Sequence, residues 1–559
     1  MSALTGSERS GGAHATGPGG DWRLCEPAER ALLDAMWRMC SMARSWPGMR
    51  CGWRVGWLTA VLLGLPPSGS LAAAPVTPVV EVEEDVYTYE DARNGADPLW
   101  GVGATCLVRW EDRLFASGLQ TMPGIPPGNN CRWLLFGREP DGSSSPTGPT
   151  PWRQVRSEVL GLTREPCPLA LSQRGALVLS SCQSAQAGGA GAPRLQFIEF
   201  AVTNIAGPRF TLAPDWGGYT NFTDSTYRSL AADGPRGELV LFVNGGPWSA
   251  RWLLLNERGA GIATGELRWP WEGGYERAGA VRITHANTLL RDGVLHFCGI
   301  SELTEPVSAW RDFKRQPAGN GPDLVSRRLF YVRAPDLVRG LFDQWIEVAN
   351  LDKTAGTITL GDLWVDREEV VHVVWAEEAL DERLRARFFP QAPQTHTINY
   401  ARLRRDTILT RRTLVPDPMP NAGEVPSRPR FQITPDQQLF VFYFVSGVGA
   451  DGRTVAENRV IEVQPDGSAT APVKVPLAHP MDRYYTATPR AGSPLSTTLD
   501  LLGSRAGVPF TVSYARVQLR DRGGGSNGRV SNSSRVRVSS TSSSSTGGAM
   551  TATGADAPK

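Results

Sequence analysis

Arginine recurs where this 559-residue chain passes from a polar stretch into an apolar one, at Arg228, at Arg430 (with Arg428 two residues before it) and at Arg490. A guanidinium is a planar fork that grips a carboxylate through two parallel hydrogen bonds. Arginines converging from separate elements would therefore build a carboxylate site. Matching positions carry Glu165, Tyr227, His285 and Asp362. A tyrosine acts as a nucleophile once a carboxylate activates it, and Glu165 or Asp362 would serve. In a second chemistry, His285 or Tyr227 takes a proton from the carbon beside a carboxylate that arginine neutralises. A purely structural alternative has the arginines pairing with Glu165 and Asp362 inside a wall.

These positions open a unit that recurs about seven times between residues 100 and 520. Each unit has a polar stretch, a turn rich in Asp, Gly or Arg, and two dense apolar runs, such as Val294-Leu295-His296-Phe297 and Val370-Val371-His372-Val373-Val374-Trp375. Units start near Ala104, Pro168, Arg228, Thr284, Gly361, Pro429 and Pro489. Long-period self-similarity of this kind signals a repeat architecture. With 60 Gly, 43 Pro and 18 Trp, aromatic strands between Gly/Pro turns point to an all-β fold. The expected architecture is a seven-bladed β-propeller, with six blades as the alternative. Unit five predicts strands at Ile358 to Val365, Val370 to Trp375, Leu384 to Phe389 and Thr397 to Arg402. Unit seven lacks a fourth strand, and Val79-Val80-Glu81-Val82 has no unit of its own. That segment is expected to complete the last blade, removing an exposed sheet edge. Helical patterning is nearly absent apart from Pro335 to Phe342.

In such a fold the first strand of each unit lines the axis, and its entry residue faces the ligand. His285, in Ile283-Thr284-His285-Ala286-Asn287, is placed to do so, whereas His296 and His372 read as core histidines. Long stretches at Pro123 to Asn130, Gln183 to Pro193, Glu302 to Pro322 and Gly447 to Glu457 are candidate binding loops.

Residues 1–74 read as a leader. Arg44, Arg50 and Arg54 precede an apolar run at 55–65, then Pro66-Pro67 and Ser70-Leu71-Ala72-Ala73-Ala74. This is the layout of a secretory signal peptide, cleaved after Ala72 or Ala74. The apolar run is too short to span a membrane, which takes about 20 residues, so no span is expected after cleavage. The protein is expected to be secreted or periplasmic. Residues 75–520 hold the propeller, and the Gly/Ser/Thr-rich 521–559 is expected to be disordered. Cys106 with Cys131, and Cys167 with Cys182, are candidate disulfides or buried thiols.

Lys+Arg 58 against Asp+Glu 56 argues against a nucleic-acid partner, which needs a concentrated basic face. No HExxH, EF-hand loop or Cys/His cluster signals a metal, and no cofactor is implied.

Gly361-Asp362-Leu363-Trp364-Val365-Asp366 running into Val371-His372-Val373-Val374-Trp375, with the strand–turn–strand units, resembles the sialidase-like, or BNR-repeat-like, propellers of secreted bacterial proteins. The resemblance covers about residues 85–520. No intact Ser-x-Asp-x-Gly-x-x-Trp box is present, and seven units point to seven-bladed relatives that include lyases of uronic-acid polysaccharides. It implies glycan recognition, with glycoside hydrolysis or lyase cleavage of an acidic saccharide or polysaccharide. Arg228, Arg430 and Arg490 would hold the carboxylate, and Tyr227, His285, Glu165 and Asp362 would do the chemistry. The alternatives are a non-catalytic binding propeller at the cell surface or in the periplasm, and a redox or metal-dependent propeller built around His285.

Overall fold

Each apolar unit resolves into an antiparallel four-stranded sheet in the computed structural model. The structure describes residues 76–101, 103–140, 152–158, 162–172, 176–184, 192–201, 204–220, 222, 226–272, 279–318, 323–421 and 423–520. The expected leader and C-terminal tail lie outside the described residues. Among these residues there are seven four-stranded blades. Blade one pairs Leu107–Trp110, Arg113–Thr121, Cys131–Arg138 and Arg153–Ser157; blade two pairs Leu169–Leu171, Ala176–Gln183, Ala192–Ala201 and Asn204–Leu212. Blade three holds Ser229–Asp233, Glu238–Asn244, Ser249–Asn256 and Gly261–Arg268; blade four holds Ile283–Arg291, Val294–Ser301, Arg328–Ala334 and Ile346–Asn350. Blade five holds Ala355–Val365, Val371–Leu380, His396–Arg404 and Thr407–Val415; blade six holds Glu424–Ile433, Leu439–Val448, Thr454–Val463 and Val473–Val475.

Blade seven combines Met481–Thr486, Thr498–Arg505 and Thr511–Arg520 with the N-terminal strand Thr77–Thr88. Thr77 pairs with Arg520 and Thr88 with Thr511, so the first described strand closes the ring, as the unpaired Val79–Val82 segment implied. The first strand of each blade touches the first strand of the next all the way round. Apolar side chains fill every gap between neighbouring blades. Leu169 packs with Phe115 between blades one and two, and Tyr485 with Leu107 between blades seven and one. Seven closed wedges leave no free sheet edge at the junction.

Three expectations about elements are corrected. Residues 384–389 form no strand: Glu382–Phe388 is a helix, capped by Asp381, whose carboxylate accepts the Arg383 N–H at 3.1 Å. Leu, Arg and Ala are good helix formers and Asp is a strong N-cap, so local preference outweighs an apolar pattern too short to specify a strand. Blade five takes His396–Arg404 and Thr407–Val415 as its outer strands instead. Pro335 to Phe342 is a turn closed by an Asp336–Leu341 bridge. A second helix among the described residues, Ser308–Ala318, lies within the stretch read as a loop. Its Trp310 and Phe313 pack on Phe389 and Phe388 with ring centroids 5.5 Å apart in each pair.

The five described cysteines are buried free thiols. Cys106 lies beside Ser117, whose N–H bonds its carbonyl, whereas Cys131 faces Thr121, four residues further along the same strand. Four residues of strand span about 13 Å, beyond disulfide reach. Extending the Leu169–Leu179 pairing sets Cys167 opposite Ser181, so Cys182 leaves the other face of the sheet. Burial raises the thiol pKa values of Cys106 and Cys167 to about 12.

Candidate functional site

In an antiparallel blade the first strand enters, and the second strand exits, at the same end. The long connections after Thr121, Gln183, Ser301, Leu380 and Val448 therefore gather at the end where the first strands begin. There the inner strands bulge. Pairing registers shift between Thr284 and Asn287 in blade four, and between Ser427 and Arg430 in blade six. A bulge re-aims a side chain. His285 and Arg428 sit in these bulges at φ 50° and 56°, and Tyr227, just ahead of blade three, sits at φ 44°. Non-glycine residues rarely occupy this left-handed region. At the blade-five bulge stands Gly361, where an added Cβ would lie 2.6 Å from the Pro429 carbonyl oxygen.

Tyr227 and His285 meet edge to face, centroids 4.9 Å apart, and Trp100 covers both at 4.9 Å and 5.3 Å. Trp100 is carried by the segment between the N-terminal strand and blade one. That segment crosses the mouth of the ring: a Cβ on Gly103 would lie 2.1 Å from the Ala286 carbonyl oxygen. The Tyr227 hydroxyl donates to Glu302 Oε2 at 2.7 Å, and Arg282 Nη1 donates to Glu302 Oε1 at 2.8 Å. The Arg282 guanidinium also lies over the Tyr227 ring, 5.4 Å from its centroid.

Charge and burial set the protonation of this group. Burial, with the Glu302 carboxylate beside it, pushes the Tyr227 phenol well above its usual range. Burial lowers His285 to about 4, helped by the positive charges of Arg428 and Arg282. His285 Nδ1 is buried without a hydrogen-bond partner. At neutral pH the pair is a neutral imidazole with a free lone pair beside a protonated phenol. The half-buried Arg428 guanidinium makes no hydrogen bond or ion pair among the described residues. Only its backbone carbonyl is engaged, accepting from the Tyr484 hydroxyl at 2.6 Å.

Beneath Trp100, Glu165, Tyr227, Arg228 and His285 line one cavity of about 20 Å³, too small for a sugar with Trp100 in this position. Arg228 Nη1 pairs with Glu165 Oε2 at 3.2 Å, and Arg228 Nη2 donates to the Pro166 carbonyl at 2.9 Å. Glu165 Oε2 also accepts from the Thr226 hydroxyl at 2.7 Å.

The structure thus brings Glu165, Tyr227, Arg228 and His285 together and groups Asp362, Arg430 and Arg490 elsewhere, around a plug. Arg490 opens no strand. It lies in the 3-10 turn Pro489–Ala491, capped by Thr488, on the connection between the first two strands of blade seven. This connection folds into the channel. An added Cβ on Gly492 would lie 2.2 Å from the Leu171 carbonyl oxygen of blade two, and Ser493 Oγ accepts the Arg109 N–H of blade one at 3.1 Å. Arg490 Nε pairs with Asp362 Oδ1 at 2.9 Å. Arg430 Nη1 donates to the Gly361 carbonyl at 2.7 Å. All three side chains are at most 5 % exposed, which is the wall-pairing alternative in atomic form.

Trp100, Arg282 and Glu302 were not singled out from the sequence. Arg282 lies three residues before His285, a spacing that could have marked it. His296 is buried as read, its Nδ1 meeting the Tyr331 hydroxyl at 2.8 Å; His372 is half-buried, its Nδ1 meeting the Tyr400 hydroxyl at 2.6 Å and its Nε2 meeting Asp366 Oδ2 at 3.1 Å. Among the described residues no group of three or more His, Cys, Asp or Glu side chains is set to hold a metal. No described helix is long and apolar enough to cross a membrane.

No protein-family model matches the chain, and no curated protein does. Solved structures do match. An ulvan lyase, from a new family of polysaccharide lyase and bound to -[GlcA(1-4)Rha3S]-, is 9% identical. The match covers 78% of this chain and 95% of that one, with a TM-score of 0.47. A protein of unknown function from Dyadobacter fermentans is 11% identical over 79% of this chain and 99% of its own, TM-score 0.34. An endo-arabinase from Bacteroides thetaiotaomicron is 10% identical over 53% and 93%, TM-score 0.26. At such identities and scores these likenesses carry no substrate and no residue role.

Proposed function

We propose that the entry face, with Trp100 displaced from Tyr227 and His285, binds an acidic saccharide and cleaves it by β-elimination. Arg428 neutralises the carboxylate and so acidifies the adjacent C5–H. His285 takes that proton, the C4–O bond breaks as C4=C5 forms, and the Tyr227 hydroxyl protonates the departing glycosidic oxygen. One observation carries the reading: a neutral histidine and a protonated tyrosine in ring contact, with an arginine lacking any protein partner close enough to hold the histidine's pKa down. General acid and base need these opposite protonation states. A sialidase-type tyrosine nucleophile would need the phenol lowered, and here it is raised. The reading takes residues 1–74 as a leader for export, which would bring the protein to extracellular or periplasmic polysaccharide.

The plugged channel and the tied Arg228, Arg430 and Arg490 favour a second reading, a binding propeller without chemistry. Incubating the full chain with uronate polysaccharides and following ultraviolet absorbance of the new carboxylate-conjugated double bond separates the two. Product that disappears in H285A and Y227F, with binding kept, supports the lyase. Binding lost in R428A with no product in any form supports the binding propeller. No binding at all removes both.

A further inference from the structure

The two most exposed large apolar side chains among the described residues are Trp271 and Trp248, at 68% and 61%. Both lie at the entry end, in connections flanking blade three. Trp248 follows Gly245-Gly246-Pro247 in the turn between the second and third strands. Gly246 takes φ 111° there and Pro247 fixes its own φ, so the indole is held out by a stiff turn. The Trp248 carbonyl accepts the Trp269 N–H at 3.0 Å, tying that turn to the chain entering blade four. Trp269 is buried against Phe297 and Trp345, which anchors the junction. Trp271 then pairs with Ala280 in a short two-stranded ribbon, and the ribbon runs directly into Arg282 and His285. Ala280 stands five residues from His285, about 16 Å of extended chain. Beside them Arg268, paired in register with Ser249, leaves its side chain 88% exposed and only 3.9 Å from Glu266.

Exposed indoles on rigid turns contribute nothing to the core, and such patches mark binding surfaces. An indole offers an electron-rich face on which the C–H bonds of a sugar ring stack, and arginine supplies the charge for a carboxylate. This is the chemistry of the bowl repeated outward along one rim. We infer that Trp248, Trp271 and Arg268 form an outer subsite that holds the continuing chain of an acidic polysaccharide whose reacting sugar lies at Tyr227, His285 and Arg428. The inference rests on the proposed reading of that bowl for its direction, and on the rim residues alone for the binding itself.

The test measures binding of a uronate disaccharide and a uronate octasaccharide, by calorimetry, to the full chain and to W248A, W271A, R268A and R428A. The outer subsite predicts at least tenfold weaker octasaccharide binding in W248A and W271A, a smaller loss in R268A, and unchanged disaccharide binding in all three. R428A weakens both ligands. Octasaccharide affinity unchanged in both tryptophan variants overturns the subsite while leaving the bowl intact. Rim-dependent octasaccharide binding that ignores R428A keeps the subsite and removes the bowl reading. No binding of either ligand overturns both. All three rim side chains are solvent-exposed, so thermal midpoints matching the parent confirm that folding is not the cause.

Discussion

Three side chains at the entry face, Tyr227, His285 and Arg428, sit on backbone with positive φ. Such strain costs on the order of 1–3 kcal/mol per residue and persists where the surrounding structure imposes it. The bulges impose it at His285 and Arg428, and Tyr227 takes it on entering blade three; the return is a set of polar groups aimed at one mouth. Their protonation is linked. Burial comes first, and Arg428 then adds a charge that keeps His285 unprotonated down to about pH 4. Removing that charge as Arg428→Gln moves the His285 pKa up toward its ordinary 6.5. An NMR titration of the imidazole in both proteins measures this without any substrate; an unmoved midpoint denies the coupling. In an activity profile the acidic limb of kcat/KM shifts to higher pH in the same variant, because the base must be unprotonated to work. Folding feels the same shift. The unfolded chain binds a proton at His285 between about pH 6.5 and 4 while the folded chain does not, so stability falls as pH drops through that window. His296, lowered to about 3 by burial, acts in the same sense. Urea midpoints measured at pH 7 and pH 4.5 should fall, and the fall should shrink in His285→Asn.

At the scale of elements, the plug turn Pro489–Ala491 is held by the Asp362–Arg490 pair, whose side chains are 1 % and 3 % exposed. Breaking a buried pair by removing one partner leaves a buried charge uncompensated and costs roughly 3–5 kcal/mol. Asp362→Asn should therefore lose about that much in denaturant unfolding, whereas the double variant Asp362→Asn/Arg490→Met should recover part of it. A loss below 1 kcal/mol in the single variant would mean that water reaches the pair. This pair also shows what was legible in the sequence. Tyr227 and His285 are legible only as residues near the start of a repeat unit: Tyr227 lies ahead of Ser229–Asp233, and His285 sits in a bulge inside Ile283–Arg291. Arg490 was found for the wrong element: its unit runs from Met481, and the segment taken as a strand folds inward as a turn. Nothing local to Pro489-Arg490-Ala491 announces that it crosses a channel, since the contacts that hold it come from Leu171, Arg109 and Asp362, more than a hundred residues away. The capped helix Glu382–Phe388 was missed for the opposite reason: its signal is local, an Asp followed by helix formers, but was read through the repeat. Glu302 and Trp100 reach the bowl from connections whose paths no periodicity encodes.

At the scale of the molecule, stability depends on closing the ring. The blades form a chain of interfaces in which each sheet is a wedge between two neighbours, and the last interface is made by residues from opposite ends of the sequence. Thr77–Thr88 contributes ten register pairs to Thr511–Arg520 and does more than cap an edge. Tyr87 stacks on Phe136 of blade one at 4.8 Å, and its hydroxyl accepts the Leu119 N–H at 3.1 Å, so the N-terminal strand of blade seven is also pinned to the next blade. Deleting residues 76–88 removes both contacts and bares the Thr511–Arg520 strand, a row of unpaired N–H and C=O groups that templates association. The truncated chain is expected to keep its β-rich circular dichroism, to self-associate on size exclusion, and to melt at a lower temperature in proportion to protein dilution. Adding the separate peptide 76–88 should restore the parent's elution position, because the edge it fills is preformed by the blade-seven hairpins. A truncated chain that keeps the parent's elution position and melting temperature would show that the other interfaces hold the ring unaided, and that the N-terminal strand is a covering and not the closure.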